Sequence, residues 1–290
     1  MLASTLVLSG CSLVDEIRAP AVAPLPAPPP PAAFAAPAPA ASAAGISNPP
    51  VLLLGEVRDN AQAQADRFAE LKRRVDAGWR PVIVMEQFDS DQQDLLDQAQ
   101  KDCADPECVI RVMQRPGWNW AMYRSVIDLA LTYQLRLVAG NLPRADVSRV
   151  VRDGFQTTFD AKMMTAYHLE APPADLRAGQ QTEIAKSHCN MLPEMMMAGT
   201  INAQMARDVW MAHIVMGQRP NDVVVLAENS RVRKDIGVPR WLAVIAPALT
   251  VRSEAYEEKD AGVRMGQYDV THLVAVQKRP GACSGLKTKS

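Results

Sequence analysis

After residue 11, no stretch of this sequence approaches the roughly 18 to 20 consecutive apolar residues that a bilayer-spanning helix requires. An excess of charge of one sign is missing too. With 31 basic and 32 acidic residues the net charge is −1, which supplies no overall attraction for nucleic acid. No paired Cys-x-x-Cys spacing is present, which argues against a structural zinc site. No Cys-x-x-Cys-His occurs, so covalent attachment of a c-type haem has no support. An internal repeat is absent as well. What remains is a 290-residue chain of ordinary globular composition, long enough for one sizeable domain plus an appendage.

Four apolar runs stand out, and each ends on polar residues: Val51–Leu54 before Gly55-Glu56, Val82–Met85 before Glu86-Gln87, Leu135–Ala139 before Gly140-Asn141, and Val223–Ala227 before Glu228-Asn229. Short runs rich in Val, Ile and Leu, separated by long amphipathic stretches, read as buried parallel strands joined by helices. Ligands of such sheets bind outside the carboxyl ends of the strands. If the four strands are neighbours, Glu56, Glu86, Gln87, Asn141, Glu228 and Asn229 meet on one rim, which makes that rim a candidate site.

Between the runs, Asp59 to Gly78 has helical spacing at Phe68, Leu71 and Val75, and Pro81 opens the second strand. Asp89 or Ser90 caps a helix carrying Leu95 and Leu96. Trp118 to Thr132 forms a further helix with Met122, Val126, Leu129 and Ala130 on one face. Ala145 to Gly217 reads as wholly helical, broken at Pro172-Pro173 and Pro193. Within it Ile201, Met205, Val209, Ala212 and Met216 make a stripe to be buried. Pro239 starts a short helix, and Leu249–Ser253 and Thr271–Val276 are late strands. The expected fold is α/β: a layered, mostly parallel central sheet flanked by helices, with a helical insertion before the fourth core strand.

The N-terminus carries a different message. Leu8-Ser9-Gly10-Cys11 resembles the bacterial lipoprotein cleavage box, which would make Cys11 a lipidated (palmitate-type) first residue. No Lys or Arg precedes the short apolar run, unlike a complete signal peptide. Ala19 to Ala44 is almost entirely Ala and Pro, a composition that cannot build a core and behaves as a semi-rigid tether. The expected organisation is residues 1–11 as signal segment and lipidation cysteine, 12–45 as tether, 46–279 as the folded domain and 280–290 as a tail. Ser12, rather than Asp, after the lipidated cysteine favours the outer membrane of a bacterium, with the domain facing the periplasm. The other cysteines are Cys103, Cys108, Cys189 and Cys283, an even number that suits an oxidising compartment. Of three connectivities the simplest joins Cys103 to Cys108 and Cys189 to Cys283.

Five blocks together resemble a known family: Val51–Asn60, Arg80–Phe88, Asn141–Arg144, Ser187–Cys189 and Val232–Pro239. They are similar to those of the ChaN family, bacterial haem-binding lipoproteins grouped in a superfamily with the Tiki proteases and erythromycin esterases. The resemblance spans about residues 46 to 279. Two positions depart from the family pattern. Where the first block has Gly-Glu-x-His this chain has Arg58, and where the last has Gly-Asn-Gly-His it has Arg231, with Glu228 and Ser230 at the glycine positions. A neutral imidazole ligates a metal or accepts a proton at pH 7, whereas a guanidinium has no free lone pair and stays charged.

The resemblance implies haem, or a similar planar ligand, as the bound molecule, and a role in haem or iron uptake. Arg58 and Arg231 are then candidate partners for haem propionates, alongside Glu56, Glu86, Asn141, Glu228 and Asn229. Tyr123, after Trp118 and Trp120, could flank a flat ligand. For the iron, Tyr123, Tyr167, His168 and His188 are the candidate ligands by chemical type; His188 falls in a family block. Two other readings stay open. One is a hydrolase, by analogy with the esterase and protease relatives, using Glu56 and Glu86 as acid and base. The other is a surface interaction protein without small-molecule binding. A homodimer is compatible with each.

Overall fold

The structure is a computed structural model that describes residues 47–278. The lipidation candidate Cys11, the Ala/Pro tether and Cys283 lie outside the described residues. Along the chain come β1 (Val51–Leu54), α1 (Ala61–Asp76), β2 (Val82–Asp89), α2 (Gln93–Asp102), α3 (Pro106–Met113), α4 (Arg124–Thr132) and β3 (Leu137–Asn141). The insertion holds α5 (Arg144–Asp153), α6 (Ala161–Ala166), α7 (Ala174–Ser187) and α8 (Glu194–Gly217). The chain then returns through β4 (Val223–Leu226), α9 (Asn229–Val232), α10 (Val238–Ile245), β5 (Val251–Glu258) and β6 (Val270–Val274).

The six strands form one all-parallel sheet in the order β3-β2-β4-β1-β5-β6. Successive side chains of a strand point to opposite faces, so each apolar run feeds two cores. Val51, Leu53, Val84, Val223 and Val225 pack with α8 and α10 through Met205, Val209 and Trp241. Leu52, Leu54, Ile83, Met85 and Leu226 pack on the other face with α1 and α4 through Leu71, Val75 and Ile127. Helices on both faces explain why the strands are apolar on both sides. The expected stripe on α8 is core: Ile201, Met205, Val209 and Ala212 are buried, and Met216 packs partly buried against them.

Two local devices bring the strand ends together. Asn60 caps α1 by accepting from the Ala63 amide at 3.0 Å and donates to Glu258 Oε1 and the Ala275 carbonyl, both at 2.8 Å. Gly55 sits where a Cβ would stand 2.2 Å from Asn229 Oδ1, so the β1 end admits no side chain there. The expected helix at Trp118–Thr132 starts later, at Arg124, because a single 3-10 turn at Trp120–Met122 precedes it. Cys103 and Cys108 are disulfide-bonded with Cα atoms 5.5 Å apart. Cys189 is also disulfide-bonded; its expected partner Cys283 is not described.

Candidate functional site

Glu56 follows β1 and is buried, with both carboxylate oxygens engaged. Oε1 accepts from the Tyr123 hydroxyl at 2.6 Å and from Gln87 Nε2 at 3.4 Å. Oε2 accepts from Gln64 Nε2 at 2.8 Å and faces Arg67 Nη1 at 2.5 Å, an ion pair without hydrogen-bond alignment. Arg67 Nη2 donates in turn to Gln64 Oε1 at 2.7 Å. A general base needs an open lone pair facing its substrate, and here four donors surround the group. Burial, then the Glu56 charge, push the Tyr123 phenol well above its usual range. This phenol stays neutral and ties α4 to β1.

Glu86, inside β2 just past Met85, its last residue paired with β4, accepts from the Glu228 amide at 2.9 Å through Oε2 and from Arg231 Nε at 3.1 Å through Oε1. Arg231 continues into α8: Nη1 donates to Asp208 Oδ1 at 3.1 Å and to the Gln204 carbonyl at 3.3 Å, and Nη2 to Gln204 Oε1. Asp208 is completely buried and also accepts from Gln180 Nε2 at 3.1 Å. Burial pushes its carboxyl up to about 7, although Arg231 pulls the other way. Burial likewise opposes the Arg231 charge, but Asp208 and Glu86 more than restore it and hold that guanidinium above its usual value. Arg58 pairs with Glu228 and lies over the Trp118 ring at 4.2 Å.

Above these groups is a cavity of about 280 Å³. Arg58, Arg115, Arg144, Arg207 and Arg231 contribute to its wall, against the carboxylates Glu86, Asp89 and Glu228. With Asp208, which Arg231 also holds, counted among the carboxylates, one positive charge is in excess. Asn141 bridges two of the lining groups, donating to Asp89 Oδ1 at 2.8 Å and accepting from Arg207 Nη1 at 2.6 Å. Arg115 uses its Nε on Gln92 Oε1 at 3.1 Å. Burial and the nearby Arg231 charge hold Arg207 below its usual value, so its cation is under strain from its neighbours. Gln87 also lines the space, and its buried Oε1 has no hydrogen-bond partner.

Of the residues singled out from sequence, Arg58, Glu86, Gln87, Asn141, Glu228 and Arg231 meet around this cavity. Glu56 and Tyr123 lie in the buried network beneath. Asn229 turns toward β5, donating to the Tyr256 carbonyl at 2.8 Å and accepting from its amide at 3.3 Å. Its β1 neighbour being glycine leaves room for that contact. His188 is exposed at the end of α7, its Nδ1 2.9 Å from the Ile184 carbonyl, and is not a lining residue. His168 is exposed at a turn, while Tyr167, also a candidate iron ligand by type, is buried against Trp241. Neither lines the cavity.

Sequence reasoning missed Arg115, Arg144, Gln204, Arg207 and Asp208. Arg144 closes the block Asn141–Arg144, directly after a strand end, and that position was a usable signal. Arg207 and Asp208 interrupt the apolar stripe of α8, and a charged pair inside such a stripe also marks a place where partners must exist. Among the described residues no cluster of three or more His, Cys, Asp or Glu is placed to hold a metal ion. No described helix is long and apolar enough to cross a membrane.

Sheet and site together define a doubly covered parallel α/β protein with an arginine-lined cavity at the carboxyl ends of its strands. A family model described as haem-binding uptake, Tiki superfamily, ChaN matches residues 43–242, and this chain belongs to that family. The fold is similar to that of ChaN of Campylobacter jejuni, a structure described by its cofacial haem binding. The two share 18% identity over 77% of this chain and 87% of that one, with a TM-score of 0.65. A mutant erythromycin esterase in its open conformation is also similar, at 14% identity over 72% of this chain and 70% of that one, with a TM-score of 0.41. Among curated proteins no match was found.

Proposed function

We propose that this protein is a lipid-anchored, periplasm-facing lipoprotein that binds haem or a similar planar ligand in haem or iron uptake. The observation that carries this reading is the arginine-lined cavity at the strand ends of a ChaN-family chain. Guanidinium groups match carboxylates in geometry and charge, and they do so best where water is partly excluded. Haem carries two propionates on one edge, so the excess positive charge suits that edge. The arginines fit the acidic part of the ligand. The lining residues include no Tyr, His, Met or Cys, the side chains suited to iron.

The anchor is supported by the Leu8-Ser9-Gly10-Cys11 box and the Ala/Pro stretch that follows it. A disulfide between Cys103 and Cys108 agrees with an oxidising compartment. Titrating hemin into the full chain tests the reading. The expected result is a saturable Soret shift at a defined stoichiometry that an unrelated protein does not give. A shift that never saturates would overturn it, and the interaction-protein reading would take its place.

A further inference from the structure

We infer that Cys189 and Cys283 form a disulfide that lays the tail around Cys283 along the outer face of α7, and so clamps the helical insertion to the end of the sheet. The clamp is independent of the haem reading. Four observations on this chain lead there.

The first is the bonding of the cysteines. Cys103 and Cys108 are joined to each other, and Cys189 is also disulfide-bonded. The chain has five cysteines, so Cys11 and Cys283 are the remaining partners within it.

The second is reach. Lys186 Nζ, just before Cys189, donates at 2.9 Å to the Ala261 carbonyl in the connection between β5 and β6. The Lys259 amide of the same connection donates to the Val274 carbonyl at 3.2 Å, and the Gln277 amide donates to Glu258 Oε1 at 2.9 Å. The described residues therefore end, at Lys278, beside the connection that the end of α7 also touches. Five further residues, about 17 Å when extended, lead to Cys283. Cys11 has about seven times as much chain between it and Ser47. Ser47 precedes β1, at the opposite end of the parallel strands from Ala261, which follows β5. Effective concentration falls roughly as the −3/2 power of tether length, which favours Cys283 by about twentyfold.

The third is the surface that receives the tail. Leu176, Gln180 and Ile184 form the buried face of α7. Ala178, Thr182, Ala185 and Cys189 line a groove of about 730 Å³ on its outer side. Their spacings of four, three and four keep them on one face. Cys283 is flanked by Gly281, Ala282, Ser284 and Gly285. Small side chains on both surfaces let the two backbones come close enough for dispersion contact.

The fourth is the backbone at Cys189. It and Asn190 have φ of 57° and 56°, a region that few residues other than glycine adopt. Such conformations persist where the surrounding structure holds them, and a bond to a docked segment does so. Gln180 of α7 donates to Asp208 on α8, so the clamp also restrains the helix pair that completes the cavity wall. Forming the bond removes two protons and two electrons from the thiols. Thiol–disulfide exchange with an oxidant protein takes them, that protein's own disulfide leaving as two thiols.

The first test needs no variant. The oxidised full chain is alkylated without reduction, digested with trypsin and weighed by mass spectrometry. The expected product joins residues 187–207 to residues 279–287, from protein that runs as a monomer on a non-reducing gel. A bond from Cys189 to Cys11, a Cys189 that alkylates, or a bond to Cys283 only between two chains would overturn the inference. A bond to Cys11 would remove the lipid anchor as well, because that sulfur would be consumed; the hemin titration is decided separately.

Hydrogen exchange on wild type and Cys283→Ser then reads the docking. The variant is expected to exchange about tenfold faster or more at the amides of residues 185–190, with β1 to β4 unchanged. Equal rates at those amides would mean a tethered but undocked tail and would overturn the inference. Should the variant lose its fold, the wild-type peptide map still decides.

Discussion

Glu86 and Arg231 are 145 residues apart in the chain and meet at 3.1 Å on the strand-end rim. The same arginine grips Asp208 on α8, so one guanidinium fastens β2, the segment after β4 and the helical insertion to each other. At the position where the family pattern has histidine, this chain carries a brace.

Removing that brace leaves two carboxylates without their cation in a dry interior. Arg231→Ala is expected to cost about 3 to 5 kcal/mol, the range for breaking a buried ion pair from one side. Arg231→Lys should recover little of it, because Nε, Nη1 and Nη2 all have partners that one ammonium cannot reach. Urea unfolding followed by circular dichroism measures both.

The network beneath behaves in the same way for a different reason. Glu56→Gln strips Arg67, which is almost wholly buried, of its counter-charge and should also cost about 3 to 5 kcal/mol. Tyr123→Phe removes a single hydrogen bond and should cost about 1 to 3 kcal/mol. A stable, correctly folded Glu56→Gln protein of unchanged midpoint would show that the carboxylate is not a structural anchor.

Asp208 makes stability depend on pH. Its carboxyl is held up to about 7 in the folded protein and sits near the ordinary carboxylate value of 3.8 when unfolded. Between those values the folded state binds more protons, so this group's contribution to stability falls as pH rises from about 4 to about 7. Asp208→Asn should flatten that slope. Glu254 acts with the opposite sign: burial is outweighed by His272 and Arg252, which hold it down to about 2. Its contribution is present above the unfolded value and lost as pH falls toward about 2. Thermal midpoints across pH 3 to 8, for wild type and Asp208→Asn, check the sign.

The Cys103–Cys108 bridge closes a short loop ahead of α3. Chain-entropy arithmetic for a loop of that length gives about 2 kcal/mol. Replacing both cysteines by serine should lower the unfolding free energy by that amount and leave ligand titrations unaltered, since neither residue lines the cavity.

Trp118 offers a spectroscopic reading of the site. It is half-buried, lines the cavity and lies under Arg58. Ligand entry should quench its emission, and Trp118→Phe should remove most of that change while the emission of buried Trp241 persists.

How far the sequence carried these conclusions differs between strands and site. The first four strands were legible because each buries both faces and therefore reads as an unbroken apolar run. β5 was read as ending at Ser253 but runs to Glu258. Its charged positions are the cause: Glu254 is buried among Arg252, Arg74 and His272, and periodicity sees charge without seeing its neutralisation. The rim was legible for the same reason as the strands, since a polar residue after an apolar run marks a strand end. Arg207 and Asp208 were hidden because their partners come from β3 and from beyond β4, and pairings across such distances leave no local pattern. Asn229 shows the converse, a rim residue whose side chain the close approach at Gly55 diverts into the sheet.

The strand order has a consequence for how the protein comes into being. β4 lies between β2 and β1, yet it is made more than a hundred residues after both. Until Val223–Leu226 emerges, the first two strands have no common neighbour, and a slot two strand spacings wide, about 10 Å, separates their places in the sheet. Glu86 also waits for the Glu228 amide and for Arg231. A polypeptide that folds as it is delivered from its N-terminus therefore joins β1 to β2 only once β4 is made, and a chain cut short before Val223 lacks both that joining strand and the Glu228 and Arg231 part of the cavity wall.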